Sequence, residues 1–415
     1  MSGRLQAPRG TFDVQPREAR ARLRLCRIAD ELLSRAGYEP FETPVFEDTE
    51  LFARGVGAST DIVQKEMFTF EDKAGRSLTL RPENTAGVCR AYVEYGMHKL
   101  PQPVKLWYRG PFFRHEAPQA GRFRQFSQIG AEALGSDDPS LDAELILLLD
   151  ALIDRVGAGP ARLRLSSLGG PEARAEYADD LRAHLRRRAD ELSDDVRARL
   201  DQNPLRAFDA DHAGTRAVLA DAPKLLERLD EDDRRHFEEV RGLLDEAGLE
   251  YELDPALVRG LDYYTRTVFE FESERLGAQA ALGGGGRYDR LVEELGGPAT
   301  PGVGWAAGVE RILLAARAND APIQAEPRVF VAVTEPRARH EAFRLVLRLR
   351  TEGLRAELEQ AGRSLKGQLK QADRIGARAT LIVGEAVDVK DMETGDQQRA
   401  AGADDVVERI RALLA

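Results

Sequence analysis

Between Pro16 and Ala36, apolar side chains recur at Leu23, Cys26, Leu32 and Leu33, with a proline near the start and Gly37 just past the end. That spacing predicts an amphipathic helix with its start and stop signals in place. The following Tyr38-Glu-Pro-Phe-Glu-Thr-Pro44 is expected to be extended, because each proline pushes its predecessor out of helical geometry. Residues 67–70 and 77–80 flank Glu71-Asp-Lys-Ala-Gly-Arg76, which reads as a hairpin with Gly75 in a left-handed position. Strand-like runs follow at 104–108, 112–115 and 123–131, then a long helix over 140–156 and another strand at 162–166. Hairpins and sequential strands predict a largely antiparallel sheet with helices packed on it, and not a doubly wound parallel one.

From Pro171 to about Gly248 the pattern changes to charged helices with Leu and Ala periodicity. Strands resume at Tyr251 and continue at 267–271, 280–282 and 303–306, so the helical block is expected to be an insertion in one sheet domain. A helix over 309–318 runs into Asn319-Asp-Ala-Pro-Ile-Gln-Ala-Glu-Pro327, a linker by composition. Beyond it, 329–333, 337–351, 364–375, 380–383 and 404–414 alternate strand with helix. The expected architecture is therefore α+β: a sheet domain over 1–323, with its insertion at about 170–248, then a small α/β domain over 326–415.

Composition narrows the class. Hydrophobic residues make up 42% of the 415 and charged ones 32%, the balance of an ordinary soluble globular protein. A net charge of −11 gives no global sign of nucleic-acid binding, although a local basic face remains open. Cys26 and Cys89 are far apart and lack ligand spacing, which argues against a disulfide framework or a structural zinc site. No apolar run is long enough to span a membrane, so a cytoplasmic protein is expected. The glycines of Gly302-Val-Gly-Trp-Ala-Ala-Gly308 miss the dinucleotide fingerprint, and no P-loop, HExxH or GxSxG pattern occurs. Gly283-Gly-Gly-Gly286 is readable as a strand-to-helix turn or as a place where a ligand approaches the backbone.

Two segments are too polar for interior strands. One is Arg109-Gly-Pro-Phe-Phe-Arg-His-Glu116 with Gly121-Arg-Phe-Arg-Gln-Phe-Ser-Gln128-Ile-Gly-Ala-Glu132; the other is Leu257-Val-Arg-Gly-Leu-Asp-Tyr-Tyr-Thr-Arg266. Charges on one face of a sheet cost desolvation unless a ligand satisfies them. With period two, Arg122, Arg124 and Phe126 would share a face, followed by Gln128 and Glu132. Arginines beside carboxylates fit a pocket for a zwitterion together with a polyphosphate.

These residues resemble a family. Phe113-Arg-His-Glu116 with Gly121-Arg-Phe-Arg-Gln-Phe126 resembles motif 2 of class II aminoacyl-tRNA synthetases. Gly302-Val-Gly-Trp-Ala-Ala-Gly-Val-Glu-Arg311 resembles motif 3, and the segment from the first helix to Pro44 resembles motif 1. Leu257-Val-Arg-Gly-Leu-Asp-Tyr-Tyr264 and Gly284-Gly-Gly-Arg-Tyr-Asp289 are similar to the two histidine-specific peptides of histidyl-tRNA synthetases. The resemblance runs from Gly10-Thr-Phe-Asp13 into the C-terminal domain.

It implies an antiparallel class II catalytic domain, an anticodon-binding domain, and a homodimer formed through the motif 1 region. It further implies an ATP- and Mg²⁺-using ligase that activates L-histidine to histidyl-adenylate and transfers it to the 3′ end of tRNA(His). By the same resemblance Arg114 holds the α-phosphate and the substrate carboxylate region, Arg122 and Arg311 hold the outer phosphates, and Arg259 supplies charge at the reacting phosphorus. Arg259 and Arg114 are the catalytic candidates. Glu83, Asn84, Thr85 and Gln128 bind the amino-acid head group; Glu132 and Tyr264, with Tyr263 beside them, address the imidazole. No residue is assigned as a metal ligand. Ala117 and Ala120 depart from the basic residues common in the motif 2 loop, and Trp305 and Val309 from the usual motif 3 residues. The alternative is a paralogous family, the synthetase-like regulatory subunit of ATP phosphoribosyltransferase, in which the Arg259-Gly-Leu-Asp-Tyr-Tyr264 peptide degrades and the tRNA-binding domain is missing.

A basic stripe stands apart from these motifs. Arg363, Lys366, Lys370, Arg374 and Arg378 recur at three- and four-residue spacing, and two of the chain's eight lysines lie there. The first four are candidates for contact with tRNA phosphates.

Overall fold

The computed structural model describes residues 5–57, 60–117, 121–258, 260–317 and 328–414. The chain divides into two compact units, Met1–Ala321 and Pro322–Ala415. The expected linker, and with it the boundary between 323 and 326, lies outside the described residues.

The first unit is organised by an eight-stranded sheet. Across it run Glu39–Pro40, Val104–Phe113, Gln125–Leu134, Gly302–Gly308, Ala281–Arg287, Thr265–Glu272, Arg162–Ser167 and Glu252–Leu253. The interior pairings are antiparallel, and only the two outermost are parallel. Residues 104–113 form one strand, where separate runs at 104–108 and 112–115 were expected. Pro111 is tolerated because the outer neighbour reaches only Leu106 and Trp107, leaving the missing N–H on an open edge. On the partner strand the regular ladder starts at Gln125, so Arg122 and Arg124 do not alternate as strand residues. Arg124 instead lies against Gly10, whose carbonyl accepts its amide.

The four glycines are not a turn. Gly283–Gly286 sit inside the Ala281–Arg287 strand, between two neighbours. A Cβ at Gly285 would overlap the Gly304 carbonyl, and one at Gly286 the Thr267 carbonyl. Close approach of three backbones is what selects glycine here.

The first helix, Pro16–Arg35, buries Ala21, Leu25, Ala29 and Leu33, so that of the expected stripe only Leu33 faces the core. Leu23 is 61% exposed and Cys26 only partly covered. Two alanines in the i, i+4 row let the helix lie close to Pro139–Val156, and larger residues take the outer face. A three-stranded sheet, Phe46–Asp48, Ser77–Leu80 and Phe68–Glu71, contains the expected hairpin with Gly75 at φ +76°.

The helices Pro171–Arg187, Asp194–Arg199, Ala213–Ala220 and Glu231–Glu246 follow in the middle of the chain. Tyr177, Leu181, Leu185, Val196 and Val218 form their interior, in one hydrophobic cluster with Tyr263, Tyr264 and Tyr288. The second unit has parallel strands Ala356–Leu358, Arg328–Val333 and Ala377–Val383, extended by antiparallel Val387–Asp391 and Gln397–Ala400. Helices Arg339–Thr351, Leu365–Arg374 and Ala403–Leu414 accompany them. None of the described helices is long and apolar enough to cross a membrane.

Candidate active site

An open cleft lies over the middle strands of the sheet. Its walls bring together Glu83, Asn84, Thr85, Arg114, Arg122, Gln128, Tyr263, Tyr264 and Arg311, which are separated by up to 228 positions along the chain (311 − 83). Arg259 lies outside the described residues.

The segment carrying Glu83, Asn84 and Thr85 is fixed by the buried Arg81. Its Nη1 donates to the Thr43 carbonyl and hydroxyl at 3.0 Å, its Nε to the Pro111 carbonyl at 3.0 Å, and its guanidinium stacks 4.6 Å from the Phe112 ring. Glu83 then accepts from the amides of Thr85 (2.8 Å) and Ala86 (3.1 Å) at the start of helix Thr85–Glu94. Burial raises its pKa, with the two amides and Arg114 opposing the rise. Asn84 Nδ2 and Gln128 Oε1 are buried atoms without a hydrogen-bond partner, one donor and one acceptor, in the same cleft. Unsatisfied buried polar atoms are costly, and a ligand carrying both an ammonium and a carboxylate would satisfy the pair.

Three guanidinium groups occupy the other end. Arg114 Nε donates to the Pro82 carbonyl (3.0 Å) and stacks on Phe126. Arg122 pairs with Glu116. Arg311 donates to the carbonyls of Gly121 and Ala281, both at 3.0 Å. Burial lowers the Arg311 pKa, and the neighbouring Arg122 and Arg114 depress it further. Like charges packed this way await an anion. Their scaffold is firm: Glu310 accepts from the Ser127 amide at 3.0 Å and pairs with Arg22 at 2.9 Å, tying the first helix and helix Val309–Arg317 to the sheet.

Glu132 is completely buried and is not among the residues that line the cleft. Thr85 Oγ1 (2.8 Å), the Tyr108 hydroxyl (3.2 Å) and the Tyr288 hydroxyl (2.5 Å) all donate to its carboxylate. A Cβ at Gly304 would overlap it. Burial pushes its pKa up to about 8, against the lowering by those hydroxyls. Tyr263 donates to Glu83 at 3.4 Å and packs on Tyr264 and Tyr288.

Tyr108, Glu116 and Glu270 also line the cleft and had not been singled out as site residues. The signal for Tyr108 was Gly130, its register partner on the next strand, where a Cβ would overlap the phenol. Arg287, in the second histidine-specific peptide, turns away: it is buried and paired with Asp142 at 2.7 Å and Asp289 at 3.2 Å. His115 packs edge-on to Phe68 and is not among the lining residues.

An antiparallel sheet bearing a cleft with three arginines at one end and buried polar side chains at the other is the arrangement of a class II aminoacyl-tRNA synthetase catalytic domain. Comparison with known proteins narrows the class. Residues 10–312 match the family model for histidyl-tRNA synthetase, and residues 328–413 that for an anticodon binding domain. A histidine–tRNA ligase of Rubrobacter xylanophilus is 50% identical over 410 residues, covering 95% of this chain and 96% of that one. One of Halothermothrix orenii is 46% identical, covering 99% and 100%. The crystal structure of apo S. aureus histidyl-tRNA synthetase superposes with a TM-score of 0.82 at 36% identity, covering 98% of this chain and 99% of that one. The chain belongs to the histidyl-tRNA synthetase family and has the activity of a histidine–tRNA ligase. The regulatory-subunit alternative has less support, given the relatives' identity and the matched anticodon-binding domain.

Proposed function

We propose that the cleft activates histidine by bringing its carboxylate onto the α-phosphorus of ATP, with the residue roles expected from sequence. What carries this reading is the polarity of one cleft: three guanidinium groups at one end and unpaired Asn84 Nδ2 and Gln128 Oε1 at the other. Gln128 accepts from the substrate ammonium, together with Glu83 and Thr85. Asn84 and Arg114 receive the carboxylate. Arg114 and Arg259 neutralise the charge that builds on the pentavalent phosphorus, and Arg122 and Arg311 hold the outer phosphates. Because the nucleophile is already a carboxylate, orientation and charge neutralisation are the main demands, and no general base is required.

Glu132 acts with Tyr264 in reading the imidazole. An N–H entering the pocket competes with the hydroxyls of Thr85, Tyr108 and Tyr288 for its oxygens, so those groups set the carboxylate's orientation beforehand. Mg²⁺ would fit the phosphate end, where Glu270, and Glu116 once released from Arg122, would hold it beside phosphate oxygens. When bound it would screen the phosphate charge.

Other parts of the reading concern partners. The exposed Leu23, with Cys26, Phe41 and Trp107, lines an open groove beside the two-residue edge strand, which favours a homodimer through the first helix. Residues 1–323 would be the catalytic domain, 170–248 its insertion and 326–415 the anticodon-binding domain, in a cytoplasmic enzyme. Lys366, Lys370 and Arg374 are exposed and, among the described residues, make no ion pair, which suits them to tRNA phosphates. Arg363 suits this less, being paired with Glu359 at 3.1 Å.

The deciding experiment is ATP–pyrophosphate exchange with each of the twenty amino acids. Exchange with histidine alone is expected; equal exchange with another amino acid would refute the assignment of the pocket.

A further inference from the structure

The loop that carries Tyr263 and Tyr264 is gripped by the helical insertion. Arg174, on helix Pro171–Arg187, places a single nitrogen, Nη1, 2.9 Å from the carbonyl oxygens of both Asp262 and Tyr264. Those two carbonyls bracket the Tyr263–Tyr264 pair, one before it and one after. The Asp262 carboxylate accepts from Asn203 Nδ2 at 3.2 Å and Arg206 Nη2 at 3.3 Å, both in the insertion. Its amide donates to the Val56 carbonyl at 3.1 Å, and Gly57 leaves room for it: a Cβ there would stand 2.6 Å from the carboxylate. Farther along, Arg266 adopts φ +46°, and its Nε donates to Asp233 of helix Glu231–Glu246 at 2.7 Å.

A non-glycine residue at positive φ is unfavourable and persists only where its surroundings over-determine it. Here Asp233 of the insertion grips the side chain, while the Leu168 amide and the Gly169 carbonyl hold the backbone on either side. Burial also lowers the Arg174 pKa, so the guanidinium is held at a cost in solvation. An apolar side chain would pack the helix against the loop without that cost. A donor shared by two carbonyls does something packing cannot: it fixes the peptide plane before Tyr263 and the one after Tyr264, and so constrains the backbone that carries both phenols.

We propose that Arg174 is a positioning residue for histidine recognition, so that the insertion sets the geometry of the amino-acid pocket before any tRNA is engaged. The proposal rests on the reading of Tyr263 and Tyr264 as part of that pocket. It goes beyond it by assigning control of their orientation to a different part of the chain.

The test is ATP–pyrophosphate exchange by the full chain carrying Arg174→Met, Arg174→Lys, Asp262→Asn or Tyr264→Phe, with thermal melts alongside. Loss of charge-assisted bonds that order the loop should raise the histidine KM of Arg174→Met about tenfold or more, while the ATP KM changes less than about twofold. Arg174→Lys, whose ammonium can bridge the same carbonyls, should recover most of the loss. Asp262→Asn should shift the histidine KM in the same direction by less. An unchanged histidine KM, an equal rise in both KM values, or no recovery by lysine would overturn the proposal. If Arg174→Met does not fold, the lysine and asparagine variants decide: a parent-like histidine KM in Asp262→Asn, or equal KM rises in Arg174→Lys, counts against it. Tyr264→Phe separates the two levels. No effect there removes the pocket reading itself, whereas an effect there without one at Arg174 removes only the positioning role.

Discussion

At one end of the cleft Arg114, Arg122 and Arg311 crowd together; a few strand positions away, Glu132 is enclosed by three hydroxyls. Glu116 pairs with Arg122 there, and burial and mutual repulsion lower the Arg311 pKa. The first end is electrostatically incomplete, and binding a polyphosphate relieves its repulsion. At the second, Asn84 Nδ2 and Gln128 Oε1 lack partners, but the Glu132 carboxylate is saturated, and a ligand reaching it must exchange hydrogen bonds with groups already satisfied. ATP should therefore be held largely by charge, with little shape selection. Histidine should be chosen by what it can replace, which is how a polar pocket rejects analogues lacking the right N–H.

The comparison breaks most severely at the arginine end. Arg114→Ala or Arg259→Ala should slow exchange by about 10²–10³-fold or more, the effect of about 3–4 kcal/mol lost at a developing charge. Arg114→Lys should recover little, because an ammonium lacks the planar fork. Near-normal exchange in either alanine variant would remove that residue from the chemistry.

Glu132→Ala strands the hydroxyls of Thr85, Tyr108 and Tyr288, a penalty of about 1–3 kcal/mol, and should raise the histidine KM more than the ATP KM. Equal rises would make Glu132 a structural residue. Its titration offers a second measurement. The folded-state pKa is raised from 4.5 to about 8, so the folded protein retains a proton that the unfolded chain has lost between those values. This group's contribution is fully present below 4.5 and is lost as pH rises towards about 8. Glu132→Gln, which cannot ionise, should flatten that decline in denaturant melts across the same window. Parallel curves for parent and variant would place the carboxylate's pKa in its ordinary range.

Smaller still is removal of one donor. Tyr288→Phe or Tyr108→Phe should cost about 0.5–1.5 kcal/mol, seen as a several-fold higher histidine KM with ATP affinity intact. The least effect on the cleft should come from the second unit. Lys366→Glu with Lys370→Glu should leave exchange unchanged, while the salt slope of tRNA binding falls by roughly 0.7–0.9 per lost phosphate contact. A parent-like slope would mean that this helix face is simply solvated.

Much of the cleft was legible before any coordinates. Arg114, Arg122, Arg311, Gln128, Tyr263 and Tyr264 were recognisable from the motifs that carry them, and all line one cavity. Motif recognition works there because charges in strand segments have few alternative explanations. It did not reach Tyr108, whose role depends on a neighbouring strand's Gly130, nor the saturation of Glu132 by residues from three different segments. Of the two readings of the glycine run, the turn failed for a similar reason, since which backbones approach Gly285 and Gly286 is set across the sheet and not along it, while Gly283 and Gly284 do line the cleft.

Periodicity along the chain carried the α+β class, the antiparallel sheet, the helical block and the small C-terminal α/β unit, because element type follows from local spacing and turn chemistry. Which face each element buries did not follow: helix Pro16–Arg35 turned Ala21 and Ala29 inward and left Leu23 exposed. Nor could spacing place Arg174 beneath Tyr263, or the Asp142–Arg287 pair between a helix and a strand. Those contacts join residues about ninety and 145 positions apart (264 − 174 and 287 − 142), and long-range packing alone decides which buried charge meets which partner.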